Sequence, residues 1–363
     1  MAQSISGAKM ARDAGDGPDL VTVVVPAYNA AATLDETLQS VRAQTYANLE
    51  ILVIDDGSTD ETPAIAARHA QEDPRLRVIR QQNGGVARAR NRGVAEAKGA
   101  FIAPVDSDDL WRPEKIELQM QAMVQGGEKV GLVYTWFALV DGKSMVYEAH
   151  NRPNEEGSVL QAMYRANVVG NGSSPLMRKD AILAAGGYEP ALRDANAQGC
   201  EDLLLYATIA ETHDFALVKG FLTGYRQTPD NMSGDASQMI RSWEIVRERL
   251  ARRRPEFVAE LDSAECSFLF WLYARSLEAR RFSRAFAVFR HMLKTHPLMA
   301  VKVAAVTAVE TLLYMMGSGY MAVLGIPPKP LDSGRVRFLD PDLAFTENET
   351  GPRIAYNRVL GYV

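Results

Sequence analysis

Four short apolar runs, separated by helix-patterned stretches, constrain this chain more than any other feature. Leu20-Val21-Thr22-Val23-Val24-Val25 is almost continuously β-branched. Leu49-Glu50-Ile51-Leu52-Val53-Ile54, Leu76-Arg77-Val78-Ile79 and Phe101-Ile102-Ala103-Pro104-Val105 follow it. Such runs mark strands covered on both faces, the condition of a parallel sheet. Between them, Leu34, Leu38 and Val41 share a helical face, Thr62-Pro63 suits an N-cap and first turn, and an Ala/Arg-rich stretch runs to Lys98. Strand and helix alternating at this spacing predict an α/β fold, a Rossmann-like doubly wound sheet with helices on both faces.

Ligands of such sheets bind beyond the carboxyl ends of the strands. Three of those ends carry polar clusters: Tyr28-Asn29, Asp55-Asp56 and Asp106-Ser107-Asp108-Asp109. Three carboxylates within four residues repel one another and cannot be buried unpaired. A divalent cation, which takes oxygen ligands, makes the cluster favourable. A solvated acidic turn is the ordinary alternative, since Asp and Ser are common turn residues. Solvated turns do not require acids at successive strand ends, so the shared location favours one cation-assisted, nucleotide-binding site.

Further along, Ile116, Leu118, Met120 and Met123 lie on a helix, Val130 to Trp136 reads as a strand, and Asp141-Gly142 as a hairpin turn. Asn171 to Arg178 reads as loop then strand, and Ala181 to Ala185 as a short helix closed by Gly186-Gly187. Glu201-Asp202 opens an apolar helix, where acids also suit the helix dipole. Beyond Asp235 helical patterns dominate, with arginines at 247, 249, 252, 253 and 254, and Leu272 to Pro297 resembles one hairpin of a tetratricopeptide-like kind. The expected division is a disordered lead over 1–19, an α/β domain over 20–235, a helical region over 236–330 and an irregular tail over 331–363.

The composition is globular, 47% hydrophobic and 23% charged. With 45 acidic against 40 basic residues, a net charge of −5 argues against nucleic acid as a partner. Cys200 and Cys266 make neither a metal spacing nor a disulfide framework and fit a reducing, cytoplasmic compartment. Asn171-Gly172-Ser173, Asn231-Met232-Ser233 and Asn348-Glu349-Thr350 match the glycosylation pattern, one short enough to arise by chance. The lead lacks the apolar core of a signal peptide. Pro297 to Ile326, the stretch nearest to a membrane span, is broken by Lys302, Glu310 and Gly317-Ser318-Gly319.

Taken together and in order, Val23-Val24-Val25-Pro26-Ala27-Tyr28-Asn29, Asp55-Asp56-Gly57-Ser58-Thr59-Asp60, Ala89-Arg90-Asn91-Arg92-Gly93 and Asp106-Ser107-Asp108-Asp109-Leu110-Trp111-Arg112-Pro113 closely resemble the family 2 glycosyltransferases. The likeness continues through Gly186-Gly187-Tyr188 and Glu201-Asp202, more weakly through Tyr225-Arg226, and covers roughly residues 20 to 235. It implies a GT-A fold, a nucleotide-sugar donor, first of all a UDP-sugar, a divalent Mn2+ or Mg2+, and inversion at the anomeric carbon. Pro26, Ala27 and Tyr28 would then line the nucleobase and ribose pocket, with Asp55 beside them and Asp56 on the base. Arg88 or Arg90 would sit near the donor. Asp106-Ser107-Asp108 would be the DxD motif, Asp108 the main metal ligand and Asp106 nearer the ribose or a metal-bound water, with Asp109 able to share either role. Asp202 matches the catalytic base, and Glu201 would orient it or bind acceptor. A His that many relatives carry after the Tyr-Arg pair is absent from Tyr225-Arg226-Gln227-Thr228.

Such an enzyme would serve a surface or secreted glycan, acting on a glycan or lipid-linked acceptor. The competing class is a non-catalytic nucleotide-sugar-binding or scaffold protein of a glycan-assembly complex. A sugar nucleotidyltransferase would need a glycine-rich basic loop after the first strand, which Pro26-Ala27-Tyr28-Asn29 is not. Helices near Met299 to Leu324 have two readings: peripheral contact with the inner face of an anionic membrane, or a cap or homo-oligomer contact, the second being preferred.

Overall fold

The computed structural model describes residues 19–149, 152–227, 235–308, 336–340 and 343. The first half alternates as its pattern predicts: β1 (Val21–Ala27), α1 (Leu34–Arg42), β2 (Leu49–Asp55), α2 (Thr62–Glu72), β3 (Leu76–Arg80), α3 (Val86–Glu96) and β4 (Phe101–Pro104). β1 pairs in parallel with both β2 and β4, and β2 with β3. The order β3-β2-β1-β4 therefore reverses direction at β1, which opens a crevice at the carboxyl ends of β1 and β4.

β1, β2 and β4 are buried along their whole length because both faces are covered, whereas the edge strand β3 is partly exposed. Val21, Val23, Val25, Ile51 and Val53 pack with Leu34, Leu38, Ile116 and Met120 on one side. Val24, Leu52, Ile54 and Ile102 pack with Ala89 and Val94 on the other. Each fully buried Val, Leu or Ile contributes about 1.5–3 kcal/mol as an upper bound. α3 approaches the sheet closely because Gly93 stands over Val24, where a Cβ would collide.

The chain continues through β5 (Leu110–Trp111), α4 (Lys115–Gly126), β6 (Val130–Val140), β7 (Val146–Glu148), α5 (Leu160–Arg165), β8 (Leu176–Arg178), α6 (Lys179–Ala184), α7 (Ala191–Asp194), α8 (Glu201–Ile209) and β9 (Asp214–Arg226). The full sheet runs β3-β2-β1-β4-β8-β6-β9-β5, with β7 on β6. β8 is antiparallel to both its neighbours, so the sheet is mixed. α6 closes as expected: the Gly187 and Gly186 N–H groups donate to Ile182 and Leu183 carbonyls at 2.9 and 3.1 Å, with φ of +76° and +88°. The turn after β6 is longer than the two residues expected. Asp141 Oδ1 accepts from the N–H of Lys143 and Met145, and the left-handed residue is Ser144 (φ 63°), not Gly142. β9 and β5 were not anticipated. The β9 pattern is interrupted by Lys219-Gly220 and Gly224, and its ladder with β6 shifts register three times.

α9 (Ala236–Arg253) starts where Asp235 caps the N–H groups of Ser237 and Gln238 at 3.0 and 3.1 Å. α10 (Val258–Glu278) and α11 (Phe282–Thr295) form the anticipated hairpin, turning at Arg280 (φ 55°), and residues 297–308 are again helical. Trp243, Val246, Leu250, Leu261, Val288 and Met292 join the same core cluster as Val24, Tyr188 and Tyr206. Residues 336–340 return to the far edge of the sheet. Phe338 is fully buried among Leu110, Ala138, Val140, Ala149 and Phe221, and Arg112 donates to the Phe338 and Asp340 carbonyls at 3.1 and 2.9 Å. Among the described residues no helix is long and apolar enough to cross a membrane. Of the lead expected to be disordered only Asp19 is described; the rest of it and residues 309–335, 341–342 and 344–363 lie outside the described residues.

Candidate active site

The three polar strand ends do meet, and each is built from short-range hydrogen bonds. At the end of β1, Asn29 takes a left-handed backbone (φ 48°), which Asn tolerates. Its N–H donates to Ser58 Oγ at 3.0 Å, and its Oδ1 accepts from the Thr59 N–H at 2.9 Å, joining the first loop to the second. Tyr28 stands half-exposed at the mouth, whereas Pro26 and Ala27 are buried within β1. Of the three residues expected to line a base pocket, only Tyr28 offers its side chain to the opening.

Asp55 and Asp56 are both buried, with different work. Asp55 Oδ1 accepts from the Ser58 N–H at 2.9 Å, and its Oδ2 lies 3.3 Å from Arg80 Nε. Asp56 accepts from Gln81 Nε2, the Gly84 N–H and the Gly85 N–H, each at 2.7 Å. It therefore fixes the loop 81–85 and keeps about one of its four acceptor positions unused. Gly85 (φ +85°) lets that loop pass under Arg193 and Gln198. Arg193 bonds Asn83, and Arg88 bonds Asp194 at 2.9 and 3.0 Å, so Arg88 is held in an exposed ion pair. Such a pair contributes at most about 1 kcal/mol.

The acidic turn after β4 divides its carboxylates. Asp109 is fully buried, accepting from Ser173 Oγ at 2.5 Å and from the Arg226 N–H at 2.8 Å. Asp109, expected to be able to share either role, has no exposed surface and one hydrogen bond on each oxygen, and it braces the turn from inside the fold. Asp106 pairs with Arg90 at 2.5 Å, and its N–H donates to Ser173 Oγ at 3.0 Å. Ser107 presents its carbonyl to Thr33 Oγ1 at 2.9 Å. Burial and the neighbouring Asp106 push the Asp108 carboxyl up to about 6, with Arg226 opposing. Among the described residues no three His, Cys, Asp or Glu side chains gather as a ready metal cage. Asp106 and Asp108 keep partial exposure, unlike Asp109.

Arg90 is the hub between this turn and α8. It is nearly buried, bonded to Asp106, 3.9 Å from Glu201 Oε1, and stacked over the Tyr188 ring at 5.2 Å. Burial works against its charge, but Asp106, Tyr188 and Glu201 hold its pKa well above the usual range. Glu201 Oε2 accepts from the Gly199 N–H at 2.7 Å, which fixes the start of α8. Asp202 lies beside it, its carboxyl raised to about 7 by burial and by Glu201, with Arg90 and the Leu203 N–H opposing. Glu201, Asp202, Arg90 and Asp106 thus form one electrostatic unit.

Sequence reasoning missed the residues that brace this unit. Arg226, fully buried, donates from Nε to the Asp108 carbonyl at 2.6 Å, from Nη2 to Glu36 at 2.8 Å and from Nη1 to the Asp141 carbonyl at 3.2 Å. Ser144 Oγ also donates to Glu36, at 2.6 Å. Asn171 accepts from the Ser173 and Ser174 N–H groups at 2.8 and 2.9 Å. Asn171 is buried, so that glycosylation match reflects loop geometry; Asn231 and Asn348 lie outside the described residues. The only signal for these braces was a polar run beside the strand at Leu176 and an arginine at the end of an unrecognised strand.

Residues 22–182 match the family described as Glycosyl transferase family 2. Glycosyltransferase GlyG of Streptococcus pneumoniae serotype 4 is 44% identical over 104 residues, 28% of this chain and 35% of that one. The chain spans less than half the length of the curated relatives it matches. S. aureus TarS 1–349, solved with UDP-GlcNAc, superposes with a TM-score of 0.57 at 16% identity, over 77% of this chain and 82% of that one. Mannosyltransferase PcManGT from Pyrobaculum calidifontis, solved with GDP-Man and Mn2+, gives 0.51 at 20% identity, over 84% and 85%. At these identities the structural likeness is one of fold, and the fold is of the GT-A type.

Proposed function

From the match of residues 22–182 to glycosyl transferase family 2, we propose that the protein moves a sugar from a nucleoside-diphosphate donor to an acceptor hydroxyl, with inversion. The observation that carries this reading is the placement of Asp202 in the first turn of α8 beside Glu201, which Arg90 links to Asp106 of the acidic turn; burial and Glu201 push its carboxyl up to about 7. An acceptor hydroxyl is a poor nucleophile at neutral pH, and a base whose pKa lies near the working pH removes its proton most effectively, a gain of about 10²–10⁴-fold. Asp202 takes that proton as the hydroxyl oxygen bonds to the anomeric carbon and the bond to the β-phosphate oxygen breaks. Glu201, tied to the Gly199 N–H, keeps Asp202 in position at the first turn of α8.

On the donor side, the Tyr28 ring offers a face for the base, and the unused acceptor position of Asp56 suits a base N–H. Arg90 holds Asp106 toward the opening. The residues fit a divalent cation: Asp106 and Asp108 are neighbouring carboxylates, burial and Asp106 push the Asp108 carboxyl up to about 6, and a positive charge there would offset that cost. When bound there, Mn2+ or Mg2+ offsets the negative charge developing on the leaving diphosphate. UDP-sugars are the first donors to test and GDP-sugars the second, following the ligands of the two solved relatives. A glycan or lipid-linked hydroxyl is the acceptor class.

The reading is tested by incubating the full chain with a panel of nucleotide sugars and Mn2+ in the absence of acceptor. Slow release of nucleoside diphosphate is expected, abolished by EDTA and in Asp108→Asn. Donor binding without release under any of these conditions would make the protein a binding or scaffold component instead.

A further inference from the structure

The last helices carry an apolar surface that the fold does not use. α11 buries Ala285, Val288 and Met292 against its neighbours. It leaves Phe282, Phe286 and Leu293 in solvent at 67%, 67% and 47% exposure, and the next helix adds Leu298 at 81% and Val301 at 63%. Half of the ten exposed large apolar side chains among the described residues thus fall between 282 and 301. At about 100° per residue, the three on α11 lie within roughly 40° of arc, beside the buried face and not within it. Single exposed apolar side chains are ordinary; a gathered stripe marks contact with something else.

The charge around the stripe says what that something is. From Ala279 to Ala308 the chain carries Arg280, Arg281, Arg284, Arg290, Lys294 and Lys302 and no Asp or Glu. The remainder has 34 basic against 45 acidic residues, so this segment is a cationic island on an acidic protein. Arg290, Lys294 and Lys302 are exposed, and the first two border the stripe on α11. Glu244 and Glu265, on neighbouring helices, face His291 and His296 at 3.9 and 3.6 Å. His291 points away from the stripe by the same helical spacing. Aromatic and leucine side chains rimmed by cations are the chemistry of a helix lying in an anionic bilayer interface.

We infer that the face of α11 and the following helix made by Phe282, Phe286, Leu293, Leu298 and Val301 docks the protein onto an anionic lipid bilayer. The surface is separate from the acidic turn and α8, so the inference stands apart from the transfer reaction. It is tested by cosedimentation of the full chain with vesicles of phosphatidylcholine alone and with about 30% phosphatidylglycerol. Retention on the anionic vesicles at low salt is expected, falling at least about tenfold on neutral vesicles or at about 0.5 M salt. Two double variants, Phe282→Ser with Phe286→Ser and Arg290→Glu with Lys294→Glu, change exposed side chains only, so circular dichroism and thermal shift with donor should match the parent. Each is expected to weaken anionic-vesicle binding at least about tenfold. Equal binding by both variants, equal binding to neutral vesicles, or a lipid-independent dimer that the Phe282→Ser and Phe286→Ser pair dissociates would overturn the inference.

Discussion

Arg226 and Asp202 show how single groups decide the behaviour of the site. Arg226 is a buried cation whose three nitrogens brace the acidic turn, α1 and the turn after β6. Arg226→Ala leaves Glu36 and the Asp108 carbonyl without that partner, and the loss is expected to be about 3 kcal/mol or more, read from urea midpoints at unchanged slope. Asp202 works the other way. Its folded pKa of about 7 lies above the unfolded value of 3.8, so the folded state holds the proton more tightly. Below about pH 4 both states are protonated and no penalty exists; the penalty accumulates as pH rises and is complete above about 7. Asp202→Asn should therefore raise the melting temperature at pH 8 by a few degrees and leave it little changed near pH 4. The acids expected on the donor side stood out in the sequence because strand-end acids in a parallel sheet lack a packing explanation, whereas Asp202, at a helix start where acids are ordinary, stood out only through the family resemblance. The braces were not, because Asn171, Ser173 and Glu36 are types that any loop or helix surface contains.

At the level of elements, legibility followed burial. β1, β2 and β4 are covered on both faces, so they appear as nearly continuous apolar runs. β9 is a strand of 13 residues, yet Gly220 and Gly224 interrupt its pattern, and Gly224 is required because a Cβ there would press on the Phe338 ring. The strap at residues 336–340 that demands this glycine has no periodicity to read. Phe338 is its one deeply buried anchor, so Phe338→Ala should release the strap from the β6–β7 turn at a cost of about 3 kcal/mol. Limited proteolysis would detect the release as faster cleavage near Val336, with circular dichroism unchanged. An unchanged cleavage rate would mean that Arg112 and the Ser144 carbonyl hold the strap by themselves.

At the scale of the whole molecule, the helices beyond Asp235 share the hydrophobic core of the α/β part. Trp243 stacks on Phe268 at 5.1 Å within the cluster that also holds Tyr188 and Tyr206, and the Cys200 N–H donates to Ser242 Oγ at 3.0 Å just ahead of Asp202. Calorimetry of the full chain should accordingly show a single transition, and Trp243→Ala should lower it by about 3–5 kcal/mol of stability. Two separate transitions would show that the α/β part folds without its helical cap. The central claim, that this scaffold sets Asp202 to remove the acceptor proton while the acidic turn holds the donor, is tested most directly by turnover of Asp202→Asn with the best donor found, beside its donor affinity by calorimetry. The account predicts a rate lower by about 10²–10⁴-fold with donor affinity within a few fold of the parent. Turnover at the parental rate would contradict it.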